Sequence, residues 1–230
     1  MTWRDGVFIH WPVDPDEIRP QIPDPLELDT RDGQAWVSVL PFVLARAGIR
    51  GTPGLTRLSF AELNVRTYVR YRGDRGLFFF SIDVDSSLVA TAVKRLTRLP
   101  CHHAMMHVGG DDERVSFSSA RGSISDQPAR FSATYRPTGA QFHAEPDSLA
   151  YWLTARHRLY ASRGGGVLTA EIAHAPWPLR PTTVTITENT MLEANGLPAP
   201  IGEPVTHYCG ELEMTGSIVR RVRWSRRLRR

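Results

Sequence analysis

Residues 58–71 read LSFAELNVRTYVRY, and successive side chains along such a strand point to opposite faces. One face carries Ala61, Leu63, Val65, Thr67, Val69 and Tyr71, a core-like set. The other carries Phe60, Glu62, Asn64, Arg66, Tyr68 and Arg70. Same-face neighbours lie about 6.8 Å apart, so one small molecule can touch two or three of them. A carboxylate, an amide and a guanidinium flanked by two aromatics have the chemistry of a pocket wall. The competing reading is a solvated face on an edge strand.

The stretch that follows, YRGDRGLFFFSIDV (residues 71–84), predicts a hairpin partner. Its Arg-Gly-Asp triplet reads as turn chemistry. Further strands are expected at 35–43, 77–84, 104–108, 114–121, 130–135, 168–173, 182–187 and 206–215. Helices are few. Asp14 can cap a short turn over Pro15–Arg19, stopped by Pro20. Ser86 or Ser87 can cap LVATAVKRL, which Pro100 ends. A third helix is expected from Asp147 or Ser148 through SLAYWLTARHRLY, closed by the glycines at 164–166. The chain reads as mainly β, with a few peripheral helices.

Bulk properties narrow the function. The 230 residues are 41% hydrophobic and 23% charged, ordinary values for a globular chain with a sizeable core. Seven arginines crowd residues 220–230 without an acid, so the +4 of the whole chain becomes −3 for residues 1–219. The expected organisation is one domain over 1–219 and a basic tail over 220–230. Such a tail can hold phosphates or simply fray in solvent, and no basic, aromatic face elsewhere calls for nucleic acid. No run approaches a membrane span and the N-terminus lacks a signal-like apolar core, so a cytoplasmic protein is expected.

Two cysteines, Cys101 and Cys209, make neither a disulfide framework nor a four-ligand zinc site. LPCHHAMMH (99–107) holds three histidines. On a strand, His103 and His107 share a face but stand about 13 Å apart, too far for one ion. No metal and no cofactor is expected. His103 is instead a candidate pocket acid, base or donor. Cys101 beside His102 is a weaker candidate nucleophile pair. His10 and Trp11 could line a pocket wall or simply pack. Pro176–Trp177–Pro178 reads as a rigid corner with a packed indole.

Several long motifs occur in order: His10–Phe42, Phe60–Val69, Leu77–Leu88, RLPCHHAMM (98–106), YRPTG (135–139), APWPL (175–179) and ENTMLEANGLPAP (188–200). Together they resemble the bacterial YqjF-like family, domain of unknown function 2071, from about residue 7 to about residue 210. That family falls in the acetoacetate decarboxylase-like superfamily. The resemblance implies a closed, cone-shaped β-barrel with additional strands, a few helices outside and a pocket inside. It implies that Glu62 corresponds to the superfamily's pocket glutamate, and it brings an expectation of homo-oligomers. The superfamily's type enzyme uses a lysine Schiff base tuned by a second lysine, the handling of lysine pKa for which it is the standard example. Here the corresponding place is Leu99–Pro100–Cys101–His102–His103, and both lysines are missing. Lys94, the one lysine of the chain, lies six residues before Pro100. Ala155–Arg156–His157 and the stretch ELEMTGSIVRRV (211–222) also depart from the family pattern.

Three functions fit this reading. One is a cofactor-independent enzyme acting on a small carbonyl or carboxylate compound, of lyase, hydratase, isomerase or cyclase type, and not a Schiff-base decarboxylase. Its candidate catalytic groups are Glu62 and His103, and its candidate binding groups are Arg66, Asn64, Tyr68, His10 and Arg156. The second is a non-catalytic small-molecule binding protein. The third is a structural module with a packed interior.

Overall fold

The computed structural model describes residues 1–48, 57–97, 99–111, 113–122, 127–163 and 166–222. Strand β1 (Thr2–Val13) pairs antiparallel with β3 (Ala35–Ala47), which pairs with β4 (Leu58–Tyr71). β4 forms a hairpin with β5 (Asp74–Val84), and the short β2 (Glu27–Leu28) adds to β4. The hairpin turns at Arg72 and Gly73, both with positive φ, the backbone that matches strand twist in a two-residue turn. β5 pairs in parallel with β10 (Arg158–Arg163) and, further along, with β6 (Cys101–His103). β10 pairs with β11 (Gly166–His174), and β13 (Val205–Gly216) pairs with β1. β11 also pairs with β13 over Ile172–His174, so the hydrogen-bonded ladder returns to its start.

A second layer lies outside. β12 (Arg180–Asn189) leaves β13 after Arg180 and Pro181 and pairs with β9 (Ala129–Pro137), followed by β8 (Val115–Arg121) and β7 (Met105–Gly110). This layer buries Phe117, Phe131 and Tyr135 against Ala61, Leu63, Val65 and Val69 of β4. β4 is therefore covered on both faces, which removes the solvated-edge reading. Its odd-numbered side chains face the outer layer, and Glu62, Asn64 and Arg66 face the other way, into a cavity.

The helices are short. Asp14 caps α1 (Pro15–Ile18) through the Asp16 amide at 2.9 Å, and a 3₁₀ turn over Arg19–Gln21 carries the chain through Pro20. Ser86 caps α2 (Ser87–Leu96). α3 spans only Leu149–Thr154, and α4 is a single turn, Met191–Ala194. The long helix expected through Tyr160 is replaced by β10. Ala155 leaves helical geometry, and Tyr160 and Ala161 are fully buried beside Phe78 and Phe79. The expected closing glycines at 164 and 165 lie outside the described residues.

Arg220 and Arg221 form β14, paired with Thr169 and Leu168 of β11. The remaining arginines of the tail lie beyond the described residues. No helix among the described residues is long and apolar enough to cross a membrane.

Candidate functional site

The cavity has a volume of about 150 Å³, comparable to apolar cavities that admit a benzene-sized molecule. Its walls are mostly apolar, with Trp3, Phe42, Leu77, Phe79, Ile82 and Trp177 prominent. Its lining includes Glu62, Asn64 and Arg66 from β4, Arg156 from the turn after α3, and His174 and, at the border, Thr169 from β11. A β-bulge in β5 aids the placement. Val65 pairs with Ser81 and Arg66 with Phe79, so Phe80 is the extra residue and the wall changes phase beside Arg66.

The charges are held in low-dielectric surroundings. Burial pushes the Glu62 carboxyl up to about 7, opposed by an Asn64 hydrogen bond and by Arg66, and reinforced by Asp83. Asn64 Nδ2 donates to Glu62 Oε1 at 3.4 Å, a long contact. Burial draws the Arg66 guanidinium below its ordinary value, with Tyr68 opposing. The guanidinium sits over the Phe8 ring at 5.8 Å.

Arg156 is fixed more firmly. Its Nη1 donates to the buried Asp29 carboxylate at 2.7 Å and its Nε to the Trp152 carbonyl at 2.8 Å. Its guanidinium lies over Trp152 at 4.5 Å and Tyr68 at 5.2 Å. Asp29 also receives Arg70 and Arg75, so one buried carboxylate serves three arginines and leaves local charge positive.

Buried polar atoms normally find partners. Around this cavity several do not. Asn64 Oδ1, Arg66 Nε, Arg156 Nη2, Thr169 Oγ1 and His174 Nε2 are buried and lack a hydrogen-bond partner among the described residues. All five belong to residues that line the one cavity.

Not every expected residue gathers here. Glu62, Asn64, Arg66 and Arg156 do. Tyr68 and His10 do not: both are fully buried behind the wall. α3 covers Tyr68 with Trp152, ring centroids 4.7 Å apart. His10 Nδ1, Ser38 Oγ and Tyr68 Oη form a compact triangle with edges of 2.7, 2.8 and 3.0 Å. Burial, then Arg66 and His207, keep His10 well below the ordinary histidine value, so it is neutral.

His103 lies elsewhere. It is exposed and absent from the cavity wall. β6 is three residues long, and His103 pairs with Val84, where β5 ends, so the histidine stands at the end of the ladder. Cys101 is buried, with its thiol pushed up to about 12 by burial, then Glu62 and Asp83, which leaves it a packing residue. Among the described residues no group of three or more His, Cys, Asp and Glu side chains is placed to hold a metal. Trp177 does line the cavity, with its indole N–H on the Thr154 carbonyl.

Sequence reasoning missed His174 and Thr169. Leu168, Ala170, Ile172 and His174 share the inward face of β11, so a histidine closing an apolar alternation was the available signal.

Comparison with known proteins agrees with this architecture. The enduracididine biosynthesis enzyme MppR with HEPES buffer bound superposes with a TM-score of 0.67 at 15% identity, over 96% of this chain and 86% of that one. An acetoacetate decarboxylase gives 0.60 at 18% identity, over 96% and 88%. An acetoacetate decarboxylase-like enzyme from Sphingomonas wittichii RW1 gives 0.62 at 14%, over 96% and 92%. At such identities these likenesses establish the fold. In sequence, the uncharacterised protein YqjF of Bacillus subtilis (strain 168) is 41% identical over 209 residues, 90% of this chain and 86% of that protein. The DUF2071 family model, described as an uncharacterised conserved protein, matches residues 1–213, and this chain belongs to that family.

Proposed function

We propose that the chain is an enzyme that acts on a small carbonyl-bearing carboxylic acid inside a barrel formed by the β11–β10–β5–β4–β3–β1–β13 ladder. The observation that carries this reading is Glu62, Asn64 and Arg66 side by side on the wall of one small, mostly apolar cavity, with unpartnered buried polar atoms on several of its lining residues. Arg66, with Arg156 beside the same space, holds the ligand carboxylate by charge-assisted hydrogen bonds. Glu62, titrating near neutrality, exchanges a proton at the carbonyl end.

The lysine chemistry of a Schiff-base decarboxylase is not proposed here. No lysine lines the cavity among the described residues, and Lys94 is exposed on α2. The chemistry is therefore proton transfer next to a carbonyl, as in a lyase, hydratase, isomerase or cyclase. MppR, a structural neighbour, has been solved in complex with pyruvate, which makes pyruvate the first probe.

The test is a thermal-shift screen of 2-oxo and 3-oxo acids, with turnover followed for every binder. A ligand at a hundred times its Kd stabilises by about 2.7 kcal/mol. Arg66→Met is expected to abolish the shift. Glu62→Gln is expected to keep the shift and lose turnover. Binding without turnover in the native protein would leave a ligand-binding protein, and no shift with any acid would refute the reading.

A further inference from the structure

With His103 outside the cavity, the site as described holds one proton-transfer group, Glu62. Proton abstraction beside a carbonyl is served by two, a base at carbon and an acid at oxygen. Among the described residues one histidine, His174, lines the cavity, and its environment sets its tautomer. His174 Nδ1 lies 2.7 Å from the Ala175 carbonyl oxygen, which can only accept, so Nδ1 carries the hydrogen. Nε2 then bears a lone pair. That atom is buried and makes no hydrogen bond of good geometry among the described residues, on a side chain lining the cavity.

The ring is locked between His157 and Trp177, with centroids 4.6 and 4.7 Å away. Ala175 and the Pro176–Trp177–Pro178 corner follow directly, so the carbonyl that orients the ring sits on stiff backbone. Burial, then His157 and Arg66, lower the imidazole's pKa, while the Ala175 and Arg156 backbones oppose, which favours the neutral ring at pH 7.

We infer that His174 is the catalytic base of this cavity, working opposite Glu62 as the acid. The inference rests on the carbonyl-acid reading above and assigns its second group. Nε2 takes a proton from the carbon next to the carbonyl, and the C–H electron pair becomes the C=C of an enol. The carbonyl oxygen takes the proton of the neutral Glu62 carboxyl. Reversal returns both protons, so atoms and charge balance without a further reactant.

His174 is also placed to exchange its proton. It lines an outer groove together with His157, Arg158, Glu171, Asp74 and Arg75, all exposed or partly exposed. One side chain therefore borders both the cavity and solvent.

The experiment uses the full chain and pyruvate in D₂O, following loss of the methyl signal by proton NMR, with pyruvate binding measured separately by calorimetry. The native protein and the exposed-residue control His103→Gln are expected to exchange at equal rates. His174→Gln is expected to lose at least about 100-fold in exchange with pyruvate affinity kept within about threefold. Exchange by His174→Gln at the native rate overturns the assignment while leaving the carbonyl-acid reading in place. Binding without exchange in the native protein overturns both. Should His174→Gln fail to fold, nitrogen-15 NMR of the native protein decides: an unprotonated Nε2 that shifts on adding pyruvate supports the assignment, and a protonated Nε2 overturns it.

Discussion

Replacing Glu62 by glutamine changes one atom of the cavity wall and removes a titration. Burial holds this carboxyl at about 7 against an ordinary 4.5. Below pH 4.5 it is neutral in both folded and unfolded chains and contributes nothing to pH dependence. Between 4.5 and about 7 the unfolded chain gives up its proton first, so stability falls as pH rises. Above about 7 the penalty is constant, about 3 kcal/mol for a shift of this size. Residual solvent contact at this half-buried side chain makes that an upper figure. The amide never ionises, so Glu62→Gln should match the native protein at pH 4 and exceed it at pH 8 by up to about 3 kcal/mol. For a chain of this length that is a rise in Tm of roughly 6 to 12 °C. Urea or thermal unfolding across pH 4–8 reads it directly. A difference that stays flat with pH would refute the claim that a buried, strained carboxylate sits there.

Other outcomes follow from the same geometry. Asp29→Ala leaves the buried Arg156 guanidinium without its carboxylate and should cost about 3–5 kcal/mol in urea unfolding, with loss of pyruvate binding. Tyr68→Phe removes the hydroxyl that closes the Ser38–His10 triangle and should cost about 1–3 kcal/mol by the same measurement. Gly76→Ala places a methyl 2.6 Å from Tyr160 Cε2 and 2.8 Å from the Arg158 carbonyl oxygen, so the β5–β10 pairing should weaken by about 1–3 kcal/mol. Cys101, its thiol raised to about 12, should resist iodoacetamide at pH 8 in the native state and react readily once unfolded.

The β4 strand was legible because its pattern is strict over 14 residues and its hairpin turn is local. Its two faces sort as read, with the polar trio on the cavity side. β1 escaped because its buried run from Val7 to Trp11 does not alternate and because Asp5 takes positive φ, where the register with β3 shifts. β10 escaped because leucine, arginine and tyrosine at three- and four-residue spacing fit a helix equally well. Its parallel pairing with β5 is a contact across some 80 residues that no local pattern announces.

The site divides in the same way. Arg66 and Glu62 share a strand face, so spacing alone joins them. His174 and Arg156 reach the cavity from β11 and from the α3 turn, and only tertiary closure brings them in. His103 looked equivalent in sequence because histidine chemistry does not reveal that β5 ends at Val84. Tyr68 continues the polar face of β4, yet Trp152 of α3 covers it.

The most direct measurement is a crystal structure of the full chain with pyruvate. The expected density is a single molecule between β4 and β11, its carboxylate on Arg66 and its carbonyl oxygen toward Glu62. An interior filled by side chains, or pyruvate bound only on the outer surface, would contradict it.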